Sequence, residues 1–107
     1  MFNWCVFTGI MCDELFLTHD SDGQPILAFH LAIQAWGHPV GRVKILCFSQ
    51  LAGFATQYLR QGERLAVVGI LLVDGWQGDD GEWRNDPQVI AVDIELLKEE
   101  IKKTWPI

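Results

Sequence analysis

Positive charge is scarce in this chain. Eight lysines and arginines stand against fourteen aspartates and glutamates, a formal net charge of −6 over 107 residues. Bulk attraction to phosphate is thereby excluded, and only a local basic stripe would bring such a protein to nucleic acid. Cysteine is equally sparse: Cys5, Cys12 and Cys47, with no C-x-x-C pair. The odd count and the spacing argue against a disulfide framework and for small apolar residues in a reducing compartment. His19, His30 and His38 sit on separate segments without Cys/His metal spacing. No apolar run approaches the ~18 residues that cross a bilayer. The opening M-F-N-W-C-V lacks the basic and apolar regions of a secretory leader. Gly9, Gly23 and Gly41 are isolated, so neither a Walker nor a dinucleotide glycine pattern is present. Together these absences predict a cytoplasmic protein with no membrane association, no metal and no cofactor.

What remains is apolar and strand-like. Half the residues are hydrophobic and the mean hydropathy is +0.15. A chain this short builds one core, so the surplus apolar surface predicts a subunit interface. Asn3 to Cys12 reads as a first strand, with Gly9 marking a bulge or bend and Glu14 to Thr18 a short continuation. Asp20-Ser21-Asp22-Gly23, ended by Pro25, is turn chemistry. Ile26 to Trp36 is a second strand with Leu27, Phe29, Leu31 and Ile33 on its core face; His30, Gln34 and Trp36 share the other. Gly37-His38-Pro39-Val40-Gly41 is a tight connection, so the third strand is its hairpin partner.

That third strand alternates. Val43, Ile45 and Cys47 point one way; Arg42, Lys44, Leu46 and Phe48 point the other. Cations for phosphates and a ring for bases on one strand face suit a single-stranded nucleic acid. Ser49 reads as a helix N-cap. Leu51, Phe54, Ala55, Tyr58 and Leu59 follow at helical spacing, with Phe54 and Tyr58 facing the core, and Gly62 as a left-handed C-cap. Leu65, Val67, Gly69, Leu71 and Val73 form one face of a fourth strand. A hairpin tip rich in glycine and acid runs from Gly75 to Trp83, and Val89 to Leu97 is a fifth strand with Ile90, Val92, Ile94 and Leu96 inward. Trp4 and Trp83 read as packing or interface residues. Leu97, Ile101 and Trp105 recur every four residues and predict a helical turn or two at the end. Five strands with one short helix between the third and fourth is the order of an all-β OB-fold, a Greek-key barrel, over residues 1–97 with a short extension at 98–107.

The residues that carry a family likeness are the opening N-W-C-V-F-T-G, the strand F-H-L-A-I-Q-A-W, and above all the block C-F-S-Q-L-A-G-F-A-T-Q-Y-L-R-Q-G-E-R-L-A-V-V-G-I-L. The fourth strand then leads to Trp76 and the hairpin D-D-G-E-W-R. From about Asn3 to Leu97 the chain resembles the bacterial single-stranded-DNA-binding proteins. The resemblance implies a non-enzymatic homotetramer that coats exposed strands during replication, recombination and repair. Bases would stack on Trp36, Phe48 and Trp76, with Arg42, Lys44 and Arg84 at phosphates. Each stacked base contributes about 1–3 kcal/mol, enough to offset a poor charge balance.

The departures are informative. Arg42 stands where the family commonly has an aromatic, and Leu72-Val73-Asp74-Gly75 replaces a basic approach to the tryptophan. The hairpin carries Asp79, Asp80 and Glu82 against Arg84. Three lost phosphate contacts would flatten the salt slope by about 2. The family's acidic, partner-recruiting tail is also missing from the sequence as it stands. The expectation is a tail-less variant, nucleoid-associated, dimeric or tetrameric and weaker in binding than its relatives. Its alternative is an OB-fold protein–protein interaction module, primosomal-protein-like or regulatory, that has lost most DNA binding. Neither expectation includes catalysis: Ser49 is explained as a cap, and Asp79 and Asp80 lie on a hairpin tip with nothing to raise one pKa.

Overall fold

The computed structural model describes residues 3–35 and 37–97; for Ala35, Asp74, Trp76, Arg84, Asn85 and Asp86 it describes the backbone. Seven elements follow one another: β1 (Cys5–Met11), β2 (Phe16–His19), β3 (Pro25–Ala35), β4 (His38–Phe48), α1 (Ser49–Tyr58), β5 (Arg64–Gln77) and β6 (Trp83–Leu97). The sheet order is β1-β5-β6-β4-β3-β2, and pairing of β1 with β3 closes it. All ladders are antiparallel except β4–β6. This is the five-stranded OB barrel, its first strand broken into β1 and β2 and its helix between the third and fourth barrel strands.

Closure depends on two close approaches. A Cβ on Gly9 would lie 2.3 Å from the carbonyl oxygen of Ala32, where β1 passes from β5 to β3. A Cβ on Gly69 would lie 2.3 Å from that of Ile90. Only glycine lets backbones meet at that distance. The break between β1 and β2 is sealed by Asp13, whose Oδ1 accepts the His30 N–H at 2.8 Å and so replaces a missing strand partner. The expected turn is present: Asp20 Oδ1 accepts the N–H groups of Asp22 and Gln24, each at 2.9 Å.

The core fills as the alternation predicts over β3 and β4. Leu27, Phe29 and Leu31 from one strand and Val43, Ile45 and Cys47 from the other are buried. Burial pushes the Cys47 thiol up to about 12, so it behaves as an apolar residue. Cys5 and Cys12 are half-buried, and all three thiols are free.

Four expectations need correction. Ser49 is not the cap: it turns the corner out of β4 with φ 54°, while extended Phe48 takes the N-cap position with no side-chain hydrogen bond. An N-cap needs extended backbone, which Ser49 does not have. Gly62 is left-handed (φ 94°) but not a C-cap, because the helix ends at Tyr58 with an extended Leu59. It sits instead in the Arg60–Glu63 turn, its N–H donating to Met11 at 2.8 Å. Tyr58 is half exposed, because Ala52, Ala55 and Leu59 set the buried helix face; the tyrosine leans on half-buried Phe54, ring centroids 5.1 Å apart. On β6, Val89, Ala91 and Ile94 are buried and Val92 is exposed. The ladder shifts register at Val68/Gly69, pairing Gly69 with Ala91 and Val68 with Asp93, so Val92 is the extra residue of a bulge and parity reverses there. Beyond Gly69, Leu71 and Val73 are exposed as β5 leaves the barrel.

β5 and β6 run on past the barrel as a two-stranded ribbon, pairing down to Gln77 with Trp83, longer than the hairpin tip expected from sequence. It accounts for principal extents of 54 × 35 × 31 Å. Trp4 and Trp83 are exposed in the single chain, so neither packs inside it. The helical turn read from Leu97, Ile101 and Trp105 falls in 98–107, outside the described residues. Among the described residues no helix is long and apolar enough to cross a membrane, and no His, Cys, Asp and Glu group has the arrangement of a metal site.

Candidate nucleic-acid interface

The outward face of β4 carries Arg42, Lys44, Leu46 and Phe48, while its alternate residues are buried. Registers extend this face across neighbouring strands as four rows: Ala32 beside Arg42, His30 beside Lys44, Phe16–Ala28–Leu46, and Thr18–Ile26–Phe48. Directly opposed residues of antiparallel strands share a face. Phe48 is 39% exposed, enough to offer a ring face. Arg42, Lys44 and His30 line a groove of about 340 Å³ whose far wall is Phe7, Leu71 and Pro87. Arg42 also borders a larger hollow of about 870 Å³ beneath the β3–β4 hairpin, with Thr8, Ile10 and Arg64.

His30 is held in place. The Asp13 carboxylate lies 2.5 Å from its Nδ1 and also takes its backbone N–H. An ionised carboxylate only accepts, so the imidazole hydrogen is on Nδ1 and Nε2 is left for other contacts. Burial pushes the Asp13 carboxyl up, but the His30 hydrogen bonds and the charges of His30 and Arg42 outweigh it and hold it below its ordinary value.

The structure thus brings Arg42, Lys44 and Phe48 onto one face. Trp76 and Arg84 are register partners on the β5–β6 ribbon. Gln88, the β6 partner of Lys44, is four residues from Arg84, about 14 Å along the strand. Trp36 lies outside the described residues. The ribbon tip exposes Asp79 and Glu82, and Asp80 Oδ1 accepts the Glu82 N–H at 3.1 Å. At the barrel edge, Asn3 acts as a strand residue: its amide donates to the Leu71 carbonyl at 2.7 Å and accepts the Leu71 N–H at 3.1 Å.

The model of the single-strand binding protein family matches residues 2–97. The chain belongs to that family. It is 23% identical over 105 residues to the single-stranded DNA-binding protein of Wolinella succinogenes, covering 91% of this chain and 65% of that one. It is 24% identical over 104 residues to that of Caldanaerobacter subterraneus subsp. tengcongensis, covering 92% and 69%. The chain therefore spans about two thirds of the length of these curated relatives. Among solved structures, the mitochondrial single-stranded DNA binding protein of S. cerevisiae superposes with a TM-score of 0.82 at 23% identity, covering 92% of this chain and 97% of that one. The small single-stranded DNA-binding protein of Streptomyces coelicolor gives 0.78 at 24%, covering 90% and 95%. Both share the OB barrel.

Against that family fold, the sequence reading missed Phe16 and the Asp13–His30 pair. Phe16 looked like part of a strand continuation, and only its register with Ala28 shows that it shares the Lys44 face. Asp13 and His30 are seventeen residues apart, and no local pattern links them.

Proposed function

We propose that this family member binds single-stranded DNA without catalysis, stacking bases on Phe48, Trp36 and Trp76 and holding phosphates with Arg42, Lys44 and Arg84. The observation that carries this is the shared outward face of Arg42, Lys44 and Phe48 on one strand. The names of the curated relatives and structural neighbours support it. Binding is weaker than in relatives with more basic ribbons, and the setting is the replication, recombination or repair of bacterial DNA. A second copy of the chain completes the assembly as a dimer or tetramer. In support, among the described residues Cys5 to Gly9 pair with β5 on one side only, and Val6 and Val92 expose apolar surface on the barrel exterior.

The test is tryptophan fluorescence titrated with poly(dT) at low and moderate salt. Saturating quenching at a fixed nucleotide-to-protein ratio with a shallow salt slope is the expected result. No quenching at low salt overturns the reading. It would favour the second one, a protein–protein module acting through the ribbon, which the exposed acids Asp79 and Glu82 suggest.

A further inference from the structure

Phe16 is an exposed aromatic that no part of the barrel uses. It is 68% exposed on a four-residue strand whose every position is exposed. Burying such a ring is worth more than leaving it in water, so it is available to an occupant that brings an apolar face. Its register fixes where it stands: opposite Ala28, which is opposite Leu46, on the outward face of the sheet. An alanine neighbour is too short to cover a phenyl ring.

We propose that the single-stranded DNA surface continues from β4 across β3 onto β2, with Phe16 as a further base-stacking platform. This rests on the DNA-binding reading above and deepens it. Two strand spacings and one two-residue step separate Phe16 from Phe48, about 12 Å between Cα atoms. A few nucleotides at the ~3.4 Å rise of a stacked strand cover that distance. The row on the other side of Phe16 holds His30 and Lys44, and Arg42 stands one row beyond. Rings flank the path and cations border it, the pairing of chemistries that single strands require and an apolar protein partner does not. Of the acids near the path, Asp13 already faces His30, and exposed Glu14 stands two residues before Phe16.

The experiment measures the affinity of wild type, Phe16→Ala, Phe16→Leu, Phe16→Tyr and Phe48→Ala for dT oligonucleotides across a salt series. It is paired with photocrosslinking of a 5-iododeoxyuridine oligonucleotide to the wild-type protein and with sedimentation of each variant. The expected result is a loss of roughly tenfold for Phe16→Ala and Phe16→Leu, recovery in Phe16→Tyr, an unchanged salt slope, and a crosslink in the peptide containing Phe16. If Phe16→Ala and Phe16→Leu bind like wild type and no crosslink maps to β2, while Phe48→Ala still loses affinity, the DNA does not reach Phe16. In that case the proposal falls and DNA binding stands. If Phe16→Ala changes the sedimenting mass, Phe16 belongs to a contact between copies and the proposal also falls. If wild type binds no oligonucleotide at low salt, both readings fall together.

Discussion

The β3–β4 face and the β5–β6 ribbon are built from the same kind of strand, yet they differ in support and in charge. β4 is hydrogen-bonded on both sides, to β3 and to β6. Its outward side chains therefore stand on a sheet with a full core behind them. Among the described residues the far ribbon pairs only with itself, and it carries Asp79, Asp80 and Glu82 at its tip. From Gln88 beside Lys44 to the tip is about 20 Å of strand, more than two Debye lengths at physiological salt. A net charge of −6 therefore says little about the potential over Arg42 and Lys44. Where the charges sit decides what the face attracts.

The largest effect should come from the junction of the two regions. Gly69→Ala puts a Cβ 2.3 Å from the Ile90 backbone oxygen, which has no flexible end to swing aside. The bulge that releases the ribbon must then open or β6 must move, at a cost of about 3 kcal/mol. Denaturant unfolding measures it; a midpoint equal to wild type would mean that ribbon and barrel are not locked there.

Next in size is the contrast between rings. Phe48→Ala should weaken poly(dT) binding by about 2 kcal/mol, with the melting temperature little changed because Phe48 is partly exposed. Trp83→Ala removes a ring that is 71% exposed on the ribbon and should leave affinity alone. Equal losses in the two variants would add Trp83 to the stacking residues and carry the DNA beyond the Trp76–Arg84 pair toward the tip.

How far the sequence foretells these two regions depends on range. The period-2 alternation of Val43, Ile45 and Cys47 against Arg42, Lys44 and Phe48 is local, and the structure reproduces it residue by residue. The OB order follows from one helix between the third and fourth barrel strands. Ile90 and Val92 were placed inward because an unbroken strand keeps its parity. The bulge that reverses it comes from pairing with a strand more than twenty residues away, and Val92 is as apolar as its neighbours. Tyr58 was misplaced because helical spacing alone does not rank Tyr58 below Ala55 and Leu59, which the sheet selects. Phe16 joins the candidate site only through the β2–β3 and β3–β4 registers.

A smaller effect separates the charges. Lys44→Ala and Arg42→Ala should each reduce the salt slope of binding by about 0.7. Neutralising the tip with Asp79→Asn and Glu82→Gln should raise affinity most at low salt, where the Debye length reaches about 30 Å in 10 mM, and less at 150 mM. An equal gain at both salts would show the tip in contact with the strand, and the comparison between sheet and ribbon would have to be redrawn.

The smallest effect lies under the sheet face, at the β1–β2 break. The Asp13 carboxyl is held below its ordinary 3.8 by His30 and Arg42 against the cost of burial. A depressed folded-state value means the carboxylate contributes stability in full above the unfolded value, and loses it as the pH falls through the folded one. Asp13→Asn keeps an oxygen that can accept the His30 N–H but removes the charge. The wild-type advantage in urea midpoint should therefore be present at about pH 5 and shrink steadily as the pH falls below 3.8. Both side chains are about one third exposed, so water screens the pair and the advantage is modest. Parallel pH curves for the two proteins would show that the carboxylate orders the β3 backbone through its hydrogen bond alone, with no net help from its charge.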